Sequence, residues 1–353
     1  MLSPYHEFMG SMPSPTVDII VPVWNCPFET RACLAALVEH SPEARLIIVD
    51  NGSSRETELM LEEFSEPIGE QGLFIKSERN VGMIPAINMG LARSDSDFAV
   101  VLRPHVQVTS GWLSGLMDAA QSSNAGILTP LFAGKGAPRS APLVNGSSLM
   151  DTFDISFTTL ALRGEMHMLL GGFDESMDGG QWCLRDYVRR AWSRGYRTCV
   201  TSASLVVCGN EIVFGSDERR QQQSQASRAG YLERWGVGRQ YCIYFGPEVD
   251  TASLASCMET VLEGARQGHR FTLLLHRRQF SDFKRTGWNA MHQSIGLSCV
   301  SFLLPQRDIL RKFAALKAAI PDIIPVRGVE ANSFPGVETS IPFSEVASAI
   351  GGN

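Results

Sequence analysis

Three apolar runs of this sequence end in polar or basic residues that can bind a ligand. These residues are Trp24 and Asn25, Asp50 and Asn51, and Arg103 and His105. The Asp50 carboxylate can accept hydrogen bonds from a ligand, although it can equally accept them from the backbone of its own turn. The Arg103 guanidinium keeps its charge and cannot ligate a metal ion, so it suits either an anion or a solvated loop. The chemistry open to these residues is therefore recognition of a polar, anionic small molecule.

The segments before these residues are predicted to be strands that alternate with helices. Val17–Val23, Arg45–Val49 and Asp97–Leu102 are short and rich in apolar or β-branched side chains. Between them, apolar residues recur at helical spacing, as they do after Pro27. This alternation predicts an α/β fold with a mostly parallel sheet and helices on both faces. Because such sheets bind ligands at the carboxyl ends of their strands, the polar residues should meet at one edge.

The composition argues against several classes of partner. With 353 residues and 44% hydrophobic residues, the chain can bury a large core. Its formal net charge of −6 gives no general attraction for nucleic acid, so an anionic ligand needs a local site. The eight cysteines lack the spacing of a zinc site and predict reduced thiols in a cytoplasmic protein. No apolar segment reaches the roughly 18 residues of a membrane span, which leaves peripheral membrane association open.

The chain is predicted to contain two folded units. Residues 1–16 lack a basic start followed by an apolar run, so we expect a flexible tail and no signal peptide. The main domain is predicted at 17–240, and its polar stretch Arg219–Arg228 should form a solvated helix. A second series of strands and helices predicts a small C-terminal α/β domain at 245–353. This smaller domain is expected to be a packing module, and it also offers a surface for substrate or a protein partner.

Several segments resemble, in chain order, motifs of the family 2 inverting glycosyltransferases, which use nucleotide-diphosphate sugars. The matching segments are Ile20–Asn25, Ile47–Ser53, Asn80–Gly82 with Asn88 and Gly90, Gly171–Glu175, and Trp235 with Gly236. The resemblance implies a nucleotide-diphospho-sugar transferase fold with a single Rossmann-like domain. It also implies a nucleotide-sugar donor and a glycan, lipid-linked or protein acceptor.

The resemblance assigns candidate roles to individual residues. Asp50 would contact the nucleobase or ribose, as its family counterpart does. The other donor-side candidates are Pro22, Trp24, Asn25, Asn51, Asn80, Gly82, Asn88, Arg103 and His105. The acceptor-side candidates are Gly172, Phe173, Asp174 and Glu175. For Asn80 and Asn88, turn formation and helix packing explain the residues at least as well as ligand contact does.

The first departure from the family concerns the metal ion. The family strand that corresponds to Asp97–Leu102 ends in an Asp-containing motif that holds Mg²⁺ or Mn²⁺ against the donor diphosphate. Here the positions read Arg103, Pro104 and His105. Hard divalent cations need oxygen ligands, and one imidazole at His105 would bind Mn²⁺ weakly. We therefore expect no metal cofactor, and we expect Arg103 to stabilise the departing diphosphate.

The second departure concerns the general base. The family carries a Glu-Asp pair and, after one more residue, an Asp on the helix that follows the Gly-Gly-Phe-Asp-Glu turn. The corresponding residues here are Cys183, Leu184 and Asp186. Asp186 is the predicted base, and the alternatives are Asp174, Glu175 and Asp178. An ion pair with Arg189 or Arg190 explains Asp186 equally well.

Two functions follow from these residues. The favoured prediction is a metal-independent glycosyltransferase of the hexosyltransferase type, because the nucleotide-side motifs are present. The alternative is a catalytically inactive glycosyltransferase-like binding or scaffold protein, because carboxylates are missing at two motifs. A nicotinamide oxidoreductase is disfavoured, since Val23–Cys26 stands where a glycine-rich phosphate loop is needed.

Overall fold

The computed structural model describes residues 14–138, 143, 147–179, 181–210, 216–329, 331 and 333–351. Most of the predicted N-terminal tail therefore lies outside the described residues. The strands are β1 (Val17–Val23), β2 (Arg45–Asn51), β3 (Gly72–Ser77), β4 (Phe98–Leu102), β5 (Val106–Gln107), β6 (Ala125–Ala133), β7 (Leu149–Asp151), β8 (Thr159–Arg163), β9 (Arg197–Cys208), β10 (Gln240–Tyr244), β11 (Arg270–Leu275), β12 (Ile295–Cys299), β13 (Ile324–Arg327) and β14 (Ile341–Pro342). The α-helices are α1 (Pro27–His40), α2 (Arg55–Ile68), α3 (Met83–Leu91), α4 (Trp112–Gln121), α5 (Gly164–Leu170), α6 (Trp182–Trp192), α7 (Asp217–Trp235), α8 (Thr251–Arg266), α9 (Arg277–Arg285), α10 (Pro305–Ala319) and α11 (Phe343–Gly351).

The larger sheet has the strand order β3-β2-β1-β4-β8-β6-β9-β5, and β7 pairs with β9. Strands β3, β2, β1 and β4 are parallel to one another. Strand β8 runs antiparallel to both β4 and β6. The predicted α/β class is confirmed, and antiparallel pairs are confined to the second half of this sheet.

Both faces of the larger sheet are covered, which explains the continuous apolar runs in its strands. All seven residues of β1 are buried. Ile19 packs in one core with Leu34 of α1, whereas Ile20 packs in a second core with Ile84 of α3. Because successive side chains of a strand point to opposite faces, burial on both sides removes the usual alternation of polar and apolar residues.

A second, five-stranded parallel sheet has the order β12-β11-β10-β13-β14 and confirms the smaller C-terminal α/β unit. The buried carboxylate of Asp151 connects the two units, because it binds Arg197 of the main sheet and Arg266 of α8. The Arg189 side chain also donates to the carbonyl of Gln267 at 2.5 Å. The exact domain boundaries stay predictions. Within the described part of the chain, no helix is both long and apolar enough to cross a bilayer.

Candidate functional site

A cavity of about 660 Å³ opens at the carboxyl ends of β1, β2 and β4. Its size is that of a small-molecule site. The predicted residues in its wall are Pro22, Trp24, Asn51, Asn80, Gly82, Arg103 and His105. The structure thus brings together most donor-side candidates, which come from four separate segments of the chain.

The turn after β1 is held in an unusual backbone conformation. Asn25 and Cys26 have φ angles of 57° and 59°, in the left-handed region that residues other than glycine rarely adopt. The Asn25 side chain accepts a hydrogen bond from the Ser54 backbone at 2.8 Å, and its backbone donates to Ser53 Oγ at 2.9 Å. Asn25 therefore fixes the β1 turn against the β2 turn and does not itself line the cavity.

The turn after β2 is stabilised by its own aspartate. Asp50 Oδ1 accepts a hydrogen bond from the Ser53 backbone at 3.0 Å, and Asp50 is only 6% exposed. The next residue but one, Gly52, has a φ of 68°, and a Cβ there would lie 2.4 Å from the Arg79 carbonyl carbon. The turn role weighed for Asp50 is thus present in the structure. Its contact with a nucleoside stays a prediction.

Asn51 positions the loop that precedes α3. Its Nδ2 donates to Asn80 Oδ1 and to the Gly82 carbonyl, both at 3.0 Å. Its Oδ1 accepts from the Val81 backbone at 2.9 Å. Because one amide makes all three bonds, Asn51 sets the shape of the cavity wall at Asn80 and Gly82.

Asn88 holds the predicted acceptor-side turn. Its side chain donates to the Phe173 carbonyl and to Glu175, both at 2.9 Å, and it accepts from the Phe173 backbone. Asp174 is bound by Arg234 at 2.8 Å, and the Gly172 carbonyl accepts from Arg190 at 2.9 Å. None of these predicted acceptor-side residues, nor Asn88, lines the 660 Å³ cavity. Their acceptor role stays a prediction.

The basic residues Arg103 and His105 follow the end of strand β4. The Arg103 guanidinium lies in the cavity wall, with Nη1 2.8 Å from Met83 Sδ. His105 also lines the cavity but is only 8% exposed, and its backbone carbonyl accepts from Gly209 at 2.8 Å. Of these two residues after β4, Arg103 is therefore the better placed to meet an anion.

Two further arginines reach the same cavity from the start of α7. Arg219 and Arg220 line the wall together with Ser216, whose hydroxyl caps the helix by accepting from the Arg219 backbone at 3.3 Å. Sequence reasoning missed their role, because it interpreted this segment as a solvated helix. The capping pattern indicated where the helix begins, but nothing local showed which face of the fold it meets.

Asp178 is a carboxylate in the cavity wall. Burial and, to a smaller extent, the nearby Glu175 carboxylate raise the pKa of Asp178 to about 6. The carboxylate faces the loop before α3, since a Cβ on Gly82 would lie 3.1 Å from Asp178 Oδ2. A half-buried carboxylate with a pKa near neutrality is well suited to accept a proton.

Asp186 lies in a different environment, with no exposed surface. Its Oδ2 accepts from Arg190 at 2.8 Å. Its Oδ1 accepts from Arg234 at 2.7 Å and from the Trp235 indole at 2.8 Å. This geometry opposes the predicted role of Asp186 as the base, because both oxygens are engaged and neither is open to an acceptor. It matches instead the ion pair weighed with Arg190, whereas Arg189 turns toward the second unit.

The residues at the end of β4 do not fit a divalent cation. Among the residues that the structure describes, no group of three or more His, Cys, Asp or Glu side chains is arranged to hold a metal ion. Arg103 offers no lone pair, and His105 alone gives one nitrogen where Mg²⁺ or Mn²⁺ prefers several oxygens. The family's metal site therefore has no counterpart in these side chains.

Comparison with known proteins agrees with the fold and the motifs. The sequence model of the family described as Glycosyl transferase family 2 matches residues 18–167. A curated Drosophila melanogaster protein, "Putative polypeptide N-acetylgalactosaminyltransferase 13", is 28% identical over an alignment of 185 residues that covers 47% of this chain and 29% of that protein. The solved "Crystal structure of GalNAc-T7 with UDP, GalNAc and Mn2+" superposes with a TM-score of 0.55 at 15% identity, covering 63% of this chain and 48% of that one. The chain thus spans less than a third of the curated relative and about half of the solved chain.

Proposed function

We propose, from the match of residues 18–167 to the Glycosyl transferase family 2 model, that the protein transfers a sugar from a nucleotide-diphosphate donor to an acceptor hydroxyl. The observation that carries the proposal is the composition of the 660 Å³ cavity. Its lining includes residues of the family-type turns, the arginine that follows β4 and two arginines of α7. This arrangement offers a polar nucleoside site beside concentrated positive charge.

The donor is bound with its diphosphate between Arg103 and the α7 arginines, Arg219 and Arg220. Guanidinium groups form bidentate, charge-assisted hydrogen bonds to phosphate and keep their charge at all working pH values. They stabilise the negative charge that develops on the leaving diphosphate without a metal ion. Trp24 offers an aromatic face to the nucleobase. A uridine diphosphate sugar is the first donor to test, because the solved neighbour was crystallised with UDP and GalNAc.

The reaction proceeds as one in-line displacement with Asp178 as the general base. The acceptor oxygen forms a bond to the anomeric carbon while the bond from that carbon to the diphosphate oxygen breaks. The acceptor proton passes to the Asp178 carboxylate, and the bonding electron pair leaves with the nucleoside diphosphate. Attack opposite the leaving group inverts the anomeric configuration. Asp178 replaces Asp186 in this role because its carboxylate faces the cavity.

The alternative function is nucleotide-sugar binding without transfer. One observation favours it, namely that the family's pair of acidic residues is replaced by Cys183 and Leu184 while Asp186 is fully engaged. In that case the cavity would serve recognition only, and Asp178 would have no chemical role.

An assay of nucleotide release separates the two functions. We would incubate the protein with uridine, thymidine and guanosine diphosphate sugars and measure the free nucleoside diphosphate and the released or transferred sugar. Saturable release from at least one donor, with inverted product, supports transfer. Donor binding without release supports the recognition function, and absence of binding to every donor contradicts both.

We also propose that the protein works in a reducing compartment such as the cytoplasm. All eight cysteines are free thiols, and most of them are buried. Burial raises the pKa of several of these thiols, for example that of Cys208 to about 11, which keeps them protonated and poorly reactive.

A further inference from the structure

A second cavity, of about 600 Å³, adjoins the first. The two cavities share Arg103 and Met83 in their walls. The second one is bounded by strand β6, the segment before β8 and the start of α6, and the C-terminal unit contributes Arg270 and Gln293. A ligand in this cavity would therefore touch both units and approach the donor site across Arg103.

The charge of the second cavity is unusual for this acidic chain. Among the described residues, its wall includes three arginines, Arg103, Arg185 and Arg270, and one carboxylate, Asp154. Arg270 binds Asp154 at 2.7 Å, whereas the nearest approach of Arg185 to the same carboxylate is 3.7 Å. The Asp154 carboxylate therefore has two guanidinium groups within ion-pair distance, those of Arg270 and Arg185.

Arg185 has hydrogen-bonding capacity that the protein does not fill. Its Nε is buried and has no hydrogen-bond partner among the described residues. Its guanidinium lies 5.1 Å from the centre of the Trp182 ring, which fixes the side chain along the cavity wall. The Arg185 side chain as a whole is 26% exposed, so the accessible part of its guanidinium could bind an incoming anion.

We infer that the second cavity is the acceptor site and that it takes a sugar acceptor carrying an anionic group, phosphate or carboxylate, held by Arg185 and Arg270. This inference rests on the proposed function, because it makes the neighbouring cavity the donor site. Asp178 faces Gly82, the residue before the shared Met83, so the base lies on the side of the first cavity that adjoins the second. The C-terminal unit then completes a substrate site through Arg270.

Asp154 acts in this arrangement as an internal competitor for the arginines. It occupies N–H groups of Arg270 until a ligand anion replaces it. Removing its charge should therefore strengthen anion binding, whereas a merely structural role would predict no change or a loss.

Calorimetric titrations in the presence of saturating UDP test the inference. The probes are glucose 6-phosphate, glucuronic acid and neutral glucose, so that the first two distinguish a phosphate from a carboxylate. We expect at least one anionic sugar to bind about tenfold or more tightly than glucose, since charge-assisted bonds add that much. Arg185→Gln and Arg270→Gln should each weaken that binding about tenfold, and Arg185→Lys should restore part of it.

The controls separate this inference from the proposed function. Arg278 is exposed on α9 and lines neither cavity, so Arg278→Gln should change nothing. Binding of UDP should stay within about twofold of the wild-type value in all of these variants, and Asp154→Asn should bind the anionic sugar several-fold more tightly. Equal binding of glucose, no binding of either anionic sugar, or unchanged binding in the Arg185→Gln/Arg270→Gln double variant would overturn the inference. Failure of wild-type protein to bind UDP would instead contradict the proposed function.

Discussion

Two carboxylates only eight residues apart, Asp178 and Asp186, lie in opposite environments. Asp178 is half-buried in the wall of the 660 Å³ cavity, and burial raises its pKa to about 6. Asp186 has no exposed surface and accepts hydrogen bonds from Arg190, Arg234 and Trp235. The comparison shows that a carboxylate's sequence position does not decide its chemistry. Its partners and its access to the cavity do.

The largest expected effect comes from removing the Asp178 carboxylate. Asp178→Asn should lower kcat about 1,000-fold, because general-base catalysis typically contributes a factor of 100 to 10,000. Steady-state release of nucleoside diphosphate with a saturating acceptor measures this loss. The exposed carboxylate of Asp322 provides the control, and Asp322→Asn should leave kcat unchanged. Full activity in Asp178→Asn would show that Asp178 is not the general base.

The second expected effect is on stability, where substitution of Asp186 should matter more than substitution of Asp178. Asp186→Asn should lower the free energy of unfolding by about 3 kcal/mol, because it leaves buried donors without their anionic partner. Denaturant unfolding followed by circular dichroism measures the loss. Asp178→Asn should leave stability unchanged or raise it, since ionising a carboxyl group with a raised pKa costs the folded state free energy. A stable Asp186→Asn protein with lost activity would return the base role to Asp186.

A change of pH is expected to have a smaller effect on kcat/KM and on stability. Because Asp178 must be ionised to accept a proton, kcat/KM should fall about tenfold per pH unit below a pKa of about 6 and level off above it. The folded-state pKa lies above the ordinary value of 3.8, so the protonated form favours folding. The contribution of Asp178 to the free energy of unfolding should therefore decrease as pH rises from about 4 to 6, and Asp178→Asn should remove that contribution, so the difference in stability between variant and wild type should change with pH over this range. A rate that is flat through this range would contradict the assignment.

The sequence predicted the local parts of the site well. The strands β1, β2 and β4 and the turns that follow them are short-range features, set by apolar runs and by residues such as Asn25 and Gly52. Their meeting at one edge follows from the parallel α/β class alone. For this reason most donor-side candidates line one cavity in the structure.

Long-range contacts were beyond prediction from one sequence. Two of the residues that donate hydrogen bonds to Asp186 are distant in sequence: Arg234 lies 48 residues away along the chain and Trp235 lies 49 residues away. The Asp154–Arg270 pair that joins the second cavity to the C-terminal unit spans 116 residues. No periodicity or local motif reports such contacts.

Strand β6 also escaped prediction, for a local reason. It contains Gly126 and Pro130, residue types that usually weaken or interrupt a strand. In the structure, the pairing of β6 with β9 shifts register between Thr129 and Leu131, so Pro130 lies at an irregularity where a missing N–H is tolerated.

Whether fixed arginines hold the donor in place of a metal ion is tested most directly by calorimetric titration of UDP into the wild-type protein and into Arg103→Ala. Each titration is run in buffer alone, with EDTA and with Mn²⁺. We predict that the wild-type Kd is the same in buffer alone, with EDTA and with Mn²⁺, and that Arg103→Ala weakens binding about 30-fold, as expected for lost charge-assisted hydrogen bonds. Wild-type binding that disappears with EDTA and returns with Mn²⁺, together with an unchanged Kd in Arg103→Ala, would contradict this prediction.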